Sequence, residues 1–140
     1  MAELFKLRRE HAVILRIVER LGFLVSQPKP PPQLHLFAVR YELTATLIAH
    51  LKNEDWLVYP RLMASTDADI AATARAFSDE MGGLAEAYRE HCQSWDANAI
   101  AADWTGYCTD CRSLIGALIT RITRENHDLF PMLERVARAA

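Results

Sequence analysis

The chain contains one pattern twice, as LIAHLKNEDWLVYPRL at residues 47–62 and as LITRITRENHDLFPML at residues 118–133. Both copies share the frame L-I-x-[HR]-[LI]-x-x-E-x-x-x-x-[YF]-P-x-L, at an offset of 71 residues. Apolar residues recur in each copy at steps of three and four, which is the spacing of one helix face. The repetition predicts two equivalent helices in a bundle of approximate two-fold symmetry, with equivalent positions meeting at its centre.

The same spacing extends beyond the two copies and predicts four long helices. The first runs roughly from 3 to 25 and carries His11 in the middle of its apolar stripe. The segment SQPKPPPQ at 26–33 is predicted to be a stiff connector, because each proline removes a backbone donor and restrains the residue before it. The second helix should span about 35–64. Its inward stripe is predicted to contain Leu43, Leu47, His50, Glu54, Leu57 and Arg61.

Two further helices are predicted in the second half of the chain. Ser65, Thr66 and Asp67 are N-cap candidates for a third helix that ends near residue 95, although Gly82-Gly83 weakens it locally. Its apolar stripe contains Phe77, Met81, Leu84, Tyr88, His91 and Trp95. The stretch DANAIAAD at 96–103 is predicted to be a short break. Asp103 or a neighbour would then cap a fourth helix that continues through Leu129 toward the C-terminus.

A proline follows the glutamate by six residues in each copy of the repeat, as Pro60 and Pro131. A proline late in a helix removes one backbone hydrogen bond and clashes with the preceding turn. We therefore expect a kink or a helix end at these two equivalent positions.

Taken together, these segments predict an all-α fold, an antiparallel up-down four-helix bundle. The chain has 140 residues, of which 51% are hydrophobic, and only 5 are glycine. This length and composition suit one domain spanning 1–140, with 26–33 as the connector between its first two helices.

Charge and composition exclude several classes of partner. The 16 basic and 18 acidic residues nearly balance and form no long run of one sign, so no nucleic-acid partner is expected. The N-terminus MAELFKLRREHAVIL resembles neither a signal peptide nor a membrane span, which predicts a cytoplasmic protein without a membrane partner. Three cysteines are expected to remain thiols. They are Cys92, Cys108 and Cys111, too few for a structural zinc site. A protein partner or a homodimer stays open.

Six polar side chains project into stripes that are otherwise apolar: His11, His50, Glu54, His91, Arg121 and Glu125. A buried charge normally has a counter-charge or coordinates a metal, because an unpartnered carboxylate is very costly to bury. His50 and Glu54 are four residues apart and lie one turn apart on the same helix face. Imidazole and carboxylate donors suit iron, zinc or manganese better than calcium.

Each of these residues also has a simpler interpretation. One histidine on an apolar stripe, such as His11, is more often a hydrogen-bonded core residue than a ligand. An H-x-x-x-E pair such as His50 and Glu54 is also common by chance. The joint pattern favours metal, because three helices each present an inward histidine and equivalent repeat positions carry Glu54 and Glu125.

The arrangement resembles the hemerythrin-like, or HHE cation-binding, family. That family has a His on helix one, H-x-x-x-E on helix two, a His on helix three, and H-x-x-x-E followed by an aromatic residue and proline on helix four. The matches cover nearly the whole chain and are His11, His50, Glu54, His91 and Glu125. The resemblance implies a non-haem di-iron centre bridged by the two carboxylates. It also implies dioxygen carriage, oxygen or iron sensing, or nitrosative-stress repair.

The sequence departs from the family at one position, where Arg121 replaces the histidine of helix four. A guanidinium stays protonated and has no lone pair for a metal. His127 should face away from the core, and His35 lies too far along its helix to substitute. By the resemblance, the loss damages the half-site that includes His91. His11, His50, Glu54 and Glu125 would then form a mononuclear site, with Arg121 pairing with Glu125 or Glu54 where a second cation would bind.

Two hypotheses follow from the sequence. The first is a non-haem iron protein, with zinc as an alternative, that binds or senses a diatomic ligand (dioxygen or nitric oxide) or iron and turns over no organic substrate. The second is a metal-free helical interaction module in which an ion-pair cluster around Arg121 replaces the metal. Replacing Arg121 with histidine would raise the metal stoichiometry toward two if the lost ligand is the only defect.

Overall fold

A computed structural model describes residues 2–139, which fold into helices connected by short turns. The helices are α1 (Ala2–Val25), α2 (Gln33–Asn53), α3 (Tyr59–Met63), α4 (Ala68–Met81), α5 (Leu84–Ser94), α6 (Ala97–Ala102), α7 (Trp104–Arg124) and α8 (Phe130–Ala139). Two π-helical turns, Glu54–Val58 and Glu125–Leu129, join α2 to α3 and α7 to α8 without interrupting the helical run.

These helices form four rods, and the prediction of an all-α four-helix bundle is confirmed. The rods are α1, α2 with α3, α4 with α5, and α7 with α8. Helix α1 packs against α2 and α7, α5 packs against α7, and α3 packs against α4. No β-strand occurs between residues 2 and 139. Within the same residues, no helix is both long and apolar enough to cross a membrane.

Aspartates begin three of the helices. The side chain of Asp67 accepts hydrogen bonds from the backbone N–H groups of Asp69 and Ile70, and Asp103 accepts one from Gly106, as predicted for N-caps. Asp96 likewise caps α6 by accepting from Ala99. The prediction of a break at 96–103 is therefore wrong for its central part, because a capped stretch rich in alanine forms a short helix.

Neither proline ends its helical run. Instead, the backbone widens just before each one, so that Tyr59 N–H donates to the carbonyl of Glu54 and Phe130 N–H donates to that of Glu125, both five residues back. Each π-helical turn holds one more residue than an α-turn would, which accommodates the proline that follows.

The extra residue of the first π-helical turn changes which side chains face inward. Leu57, which the regular spacing assigns to the inward stripe, is 64% exposed, and Arg61 is also exposed, in a salt bridge with Glu3. Val58 and Leu62 are fully buried in their place. The prediction for Leu57 and Arg61 is wrong because it assumed 3.6 residues per turn throughout.

The apolar core consists of two separate clusters with a polar layer between them. The connector-end cluster extends from Ile14 on α1 and Ile122 on α7 toward the 26–32 connector. The termini-end cluster contains Leu7, Phe130 and other residues near the two chain ends. His11 lies between the two clusters on α1, so the polar layer is fully enclosed.

Candidate metal centre

Four of the predicted ligands meet in the polar layer. Each of His11, His50, Glu54 and Glu125 contributes one donor atom to a group in which all of these atoms lie within 4.8 Å of one another. The four side chains are at most 2% exposed. Two imidazole nitrogens and two carboxylate oxygens therefore converge at one interior point.

Three rods of the bundle supply these side chains. His11 comes from α1 and His50 from the last turn of α2. Glu54 and Glu125 are the first residues of the two π-helical turns. The repeated sequence therefore places the widened backbone and the inward carboxylate at equivalent positions, and π-helical turns are frequent at functional sites.

The donor atoms face one another without making hydrogen bonds. His50 Nε2 lies 3.1 Å from Glu54 Oε1, and His11 Nε2 lies 3.4 Å from Glu54 Oε2 and 3.2 Å from Glu125 Oε1. Within the part of the chain that the structure describes, His11 Nε2, His50 Nε2, Glu54 Oε2 and Glu125 Oε1 have no hydrogen-bond partner. Buried polar atoms without a partner are rare and need an explanation, such as an ion between them.

The other ring nitrogen of each histidine is held by a side chain behind it. His50 Nδ1–H donates to Glu10 Oε1 at 2.8 Å, and His11 Nδ1–H donates to Asn126 Oδ1 at 2.7 Å. A proton on Nδ1 leaves the lone pair of Nε2 free for a metal, which is the usual support of a metal-binding histidine. These residues fit a bound cation.

Tyr59 completes the support on the carboxylate side. Its hydroxyl donates to Glu125 Oε2 at 2.6 Å, so only the opposite oxygen of that carboxylate remains free. Tyr59, Glu10 and Asn126 were not among the residues predicted for the site. Their signals were present, because Tyr59 is the aromatic position of the repeated frame and the other two adjoin His11 and Glu125.

The two histidines and two glutamates of the site shift one another's pKa values. Burial by itself would lower the pKa of His11, but the carboxylates of Glu125 and Glu54 beside its ring outweigh burial and raise that pKa to about 9. The pKa of His50 is raised in the same way against burial, mainly by Glu54. The pKa of Glu54 is lowered, since the two histidines outweigh its burial, whereas burial raises the pKa of Glu125. The two carboxylates thus require positive charge beside them.

A family model, the Hemerythrin HHE cation binding domain, matches residues 3–133. The chain belongs to this family. Neither the curated proteins nor the solved structures contain a significant match. Membership in a cation-binding family and the four converging donors both indicate a site that could hold a metal ion.

Arg121 occupies one side of this hemerythrin-like site. Its guanidinium donates from Nε to Glu125 Oε2 at 3.0 Å and from Nη2 to Glu54 Oε1 at 3.3 Å, so the predicted ion pair forms with both carboxylates. Further bonds join it to Asp55 Oδ1 at 2.7 Å and to the Met81 carbonyl at 3.1 Å. The side chain is 1% exposed. The sequence analysis did not identify the contact with Asp55.

His91 does not join the four donors. Its Nδ1–H donates to Asp110 Oδ2 at 2.7 Å, and its ring stacks on Tyr107. Asp110 is eleven residues before Arg121 on α7, which corresponds to about 16 Å along the helix. The expectation that five donors meet at one point is therefore corrected to four. The side chain of His91 points into the bundle as predicted, but it lies at a different level along the bundle axis from the four donors.

The third rod contributes no side-chain donor at the level of Arg121. The chain there passes from α4 to α5 through Gly82 and Gly83, and the Met81 carbonyl contacts the guanidinium instead. The two remaining histidines lie away from the site as predicted: His127 faces outward and is 85% exposed, and His35 is near the start of α2. The half-site opposite His11 and His50 thus lacks both of its histidines.

Proposed function

We propose that this protein binds one iron ion through His11, His50, Glu54 and Glu125, and that it binds or senses a small diatomic molecule there. The observation that carries the proposal is the set of four buried donor atoms, close together and without hydrogen-bond partners. Leaving such atoms unpaired is costly, and a cation at their centre would satisfy all four at once.

The donor set favours iron and leaves zinc as the alternative. Two nitrogens and two oxygens suit either metal. Zinc commonly fills its coordination with four protein ligands, whereas iron, when bound, supplies coordination positions beyond those that the protein fills. A diatomic molecule such as dioxygen or nitric oxide needs such a position, which is why the proposal names iron.

A surface groove offers a route for a small molecule to the site. The groove has a volume of about 420 Å³ and lies between the end of α4, the start of α5 and α7. Arg121 lines it and contacts both carboxylates on its other side, so its guanidinium separates the groove from the four donors. An entering molecule would meet these N–H donors before it reached the metal.

Metal content tests the first part of the proposal. Protein purified without added metal or chelator, and then given ferrous iron without oxygen, is expected to hold one iron per chain by elemental analysis. His50→Ala should lose most of this iron, because it removes one of four ligands. His127→Ala is the matched control, since this histidine is exposed and lies two residues from Glu125. Two irons per chain would contradict the single site.

Nitric oxide tests the second part. Added to the ferrous protein, it is expected to produce a new absorption band and a paramagnetic signal that His50→Ala removes. An iron-loaded protein whose spectra do not respond to nitric oxide or dioxygen would exclude the diatomic ligand while leaving iron binding intact.

One observation favours the metal-free module as a second candidate. Arg121 already pairs with Glu54, Glu125 and Asp55, so part of the negative charge is balanced without a metal. Protonated His11 and His50 would balance the rest. Absence of metal after anaerobic iron addition, in protein that keeps its helical spectrum, would support this candidate and overturn the first.

A further inference from the structure

A second polar site lies inside the connector-end cluster. It is a cavity of about 20 Å³, large enough for one or two water molecules or one small ion. Its wall is mostly apolar, with polar groups contributed by Arg40, Tyr88, His91, Cys92 and Tyr107. No carboxylate is among the residues that line it.

Arg40 brings a positive charge to this cavity without a counter-charge. Its side chain is 9% exposed, and its guanidinium lies 4.9 Å from the ring centroid of Phe37 and 5.5 Å from that of Tyr107. Between residues 2 and 139, no carboxylate or carbonyl accepts a hydrogen bond from it. Arg121, by contrast, has four such bonds. A largely buried guanidinium without an acceptor in the chain is free to bind a partner from outside it, either water or an anion.

Tyr107 also has a hydroxyl group that a partner from outside the chain could bind. Tyr107 is 0% exposed, and the Cys111 thiol lies beside its hydroxyl, but no partner in the described part of the chain makes a well-formed hydrogen bond with that hydroxyl. Tyr88 cannot serve as a second donor, because Thr44 donates its only hydroxyl proton to the Arg40 carbonyl and must therefore accept from Tyr88. His91 uses its Nδ1–H on Asp110, and the Cys92 thiol is only a weak donor. The strong donors left at the cavity are thus the guanidinium and one phenol.

We infer that this cavity binds a small inorganic anion, of the size of chloride or bromide, between the Arg40 guanidinium and the Tyr107 hydroxyl. A water molecule would satisfy the hydroxyl but not the charge, whereas an anion satisfies both. The site is independent of the metal centre, since Arg40 precedes His50 by ten residues on α2, about 15 Å.

A surface groove adjoins this anion site. A groove of about 440 Å³ runs between α5 and α7 on the surface and shares His91 and Leu114 with the cavity. His91 is held in this wall by its bond to Asp110.

Chloride itself is the probe for the first test. The protein is expected to broaden the ³⁵Cl resonance of sodium chloride, and bromide should reverse the broadening by competition. Tyr107→Phe and Arg40→Met should each weaken chloride binding about tenfold or more, as expected for losing a hydrogen bond to a charged group. Tyr41→Phe and Arg16→Met are the matched controls, because both residues are exposed, and they should bind as the unchanged protein does.

Equal broadening in all five proteins would overturn the inference, because it would place the chloride elsewhere. The measurement is repeated after metal removal by a chelator, since an anion bound to a metal would disappear in that form.

Crystals soaked in sodium bromide provide the second test. An anomalous peak between Arg40 and Tyr107 is expected, and an ordered water there without bromide would contradict the site even if a variant failed to fold.

Discussion

Arg121 is a buried cation between two buried carboxylates, and its charge explains much about the site. Glu54 and Glu125 carry two negative charges when both are ionised, and one guanidinium cancels only one of them. The rest must come from protonated His11 and His50 or from a metal ion. The same side chain therefore supplies part of the positive charge that a metal would otherwise bring, next to both carboxylates.

Arg121→Met tests how much this ion pair stabilises the metal-free protein. Removing one partner of a buried pair leaves the other charges uncompensated, so we expect the free energy of unfolding to fall by about 3–5 kcal/mol. Urea unfolding followed by circular dichroism measures the change. Arg124→Met is the control, because its partly exposed salt bridge with Glu80 should contribute less than about 1 kcal/mol. A similar loss in both variants would show that Arg121 has no special role.

The iron stoichiometry of the Arg121→His variant shows whether Arg121 is the only defect of the second metal position or whether that position lacks further ligands. The sequence predicted that this change would raise the stoichiometry toward two metals if the ligand were the only defect. Because His91 lies far from the site and the Gly82-Gly83 break brings no other donor, we now expect one iron per chain in this variant. Elemental analysis gives the answer. Two irons would mean that the third rod can slide to bring His91 into the site.

At the scale of elements, the two π-helical turns and the glycine break shape the site. Each π-helical turn begins at a glutamate of the centre and keeps the helix running through the proline beyond it. The break between α4 and α5 frees the Met81 carbonyl from the helix, and this carbonyl binds Arg121. Irregular backbone thus occurs on three of the four rods at the level of the polar layer.

The two glycines of the break should respond differently to alanine. A Cβ added at Gly82 would lie 2.4 Å from the Ser78 carbonyl oxygen, whereas one at Gly83 would meet nothing within 4 Å. We expect Gly82→Ala to lower the free energy of unfolding by about 1–3 kcal/mol through overpacking. Gly83→Ala should be neutral or stabilise by up to about 1 kcal/mol, because it restricts the unfolded chain. Thermal unfolding of the pair provides the comparison, and equal effects would contradict the geometry.

At the scale of the whole molecule, two apolar clusters enclose the polar layer from both ends. The connector-end cluster and the termini-end cluster keep water from the four donors, which strengthens every charge interaction between them. The same packing buries Cys108 and Cys111, whereas Cys92 is only partly buried.

Thiol reactivity reports on this packing. Burial raises the pKa of Cys111 to about 11 and also raises that of Cys108, so few of these thiols ionise at pH 8. Titration of the folded protein with a thiol reagent at pH 8 is expected to modify Cys92 alone within minutes, and all three cysteines after unfolding in urea. Cys92→Ser should abolish the fast phase. Rapid reaction of Cys108 or Cys111 would show that the connector-end cluster opens readily.

The amino-acid sequence by itself determined the four helical rods, the caps at Asp67 and Asp103, and the inward direction of most site residues. Hydrophobic spacing reports the angle of a side chain around its helix axis, and His11, His50, Glu54, Glu125 and even His91 face inward as predicted. The repeated frame also indicated that Glu54 and Glu125 occupy equivalent positions.

Only the tertiary structure decided the height of each residue along the bundle. Spacing contains no information about how far one helix is shifted along another, because loop lengths and core packing set that shift. His91 therefore binds Asp110, which lies about 16 Å, or three turns of α7, from Arg121, although the pattern around His91 matched. The π-helical turns were hidden for a related reason, since a constant period cannot reveal one inserted residue. The packed helices fix both the shift of one helix along another and the point at which the helical period changes.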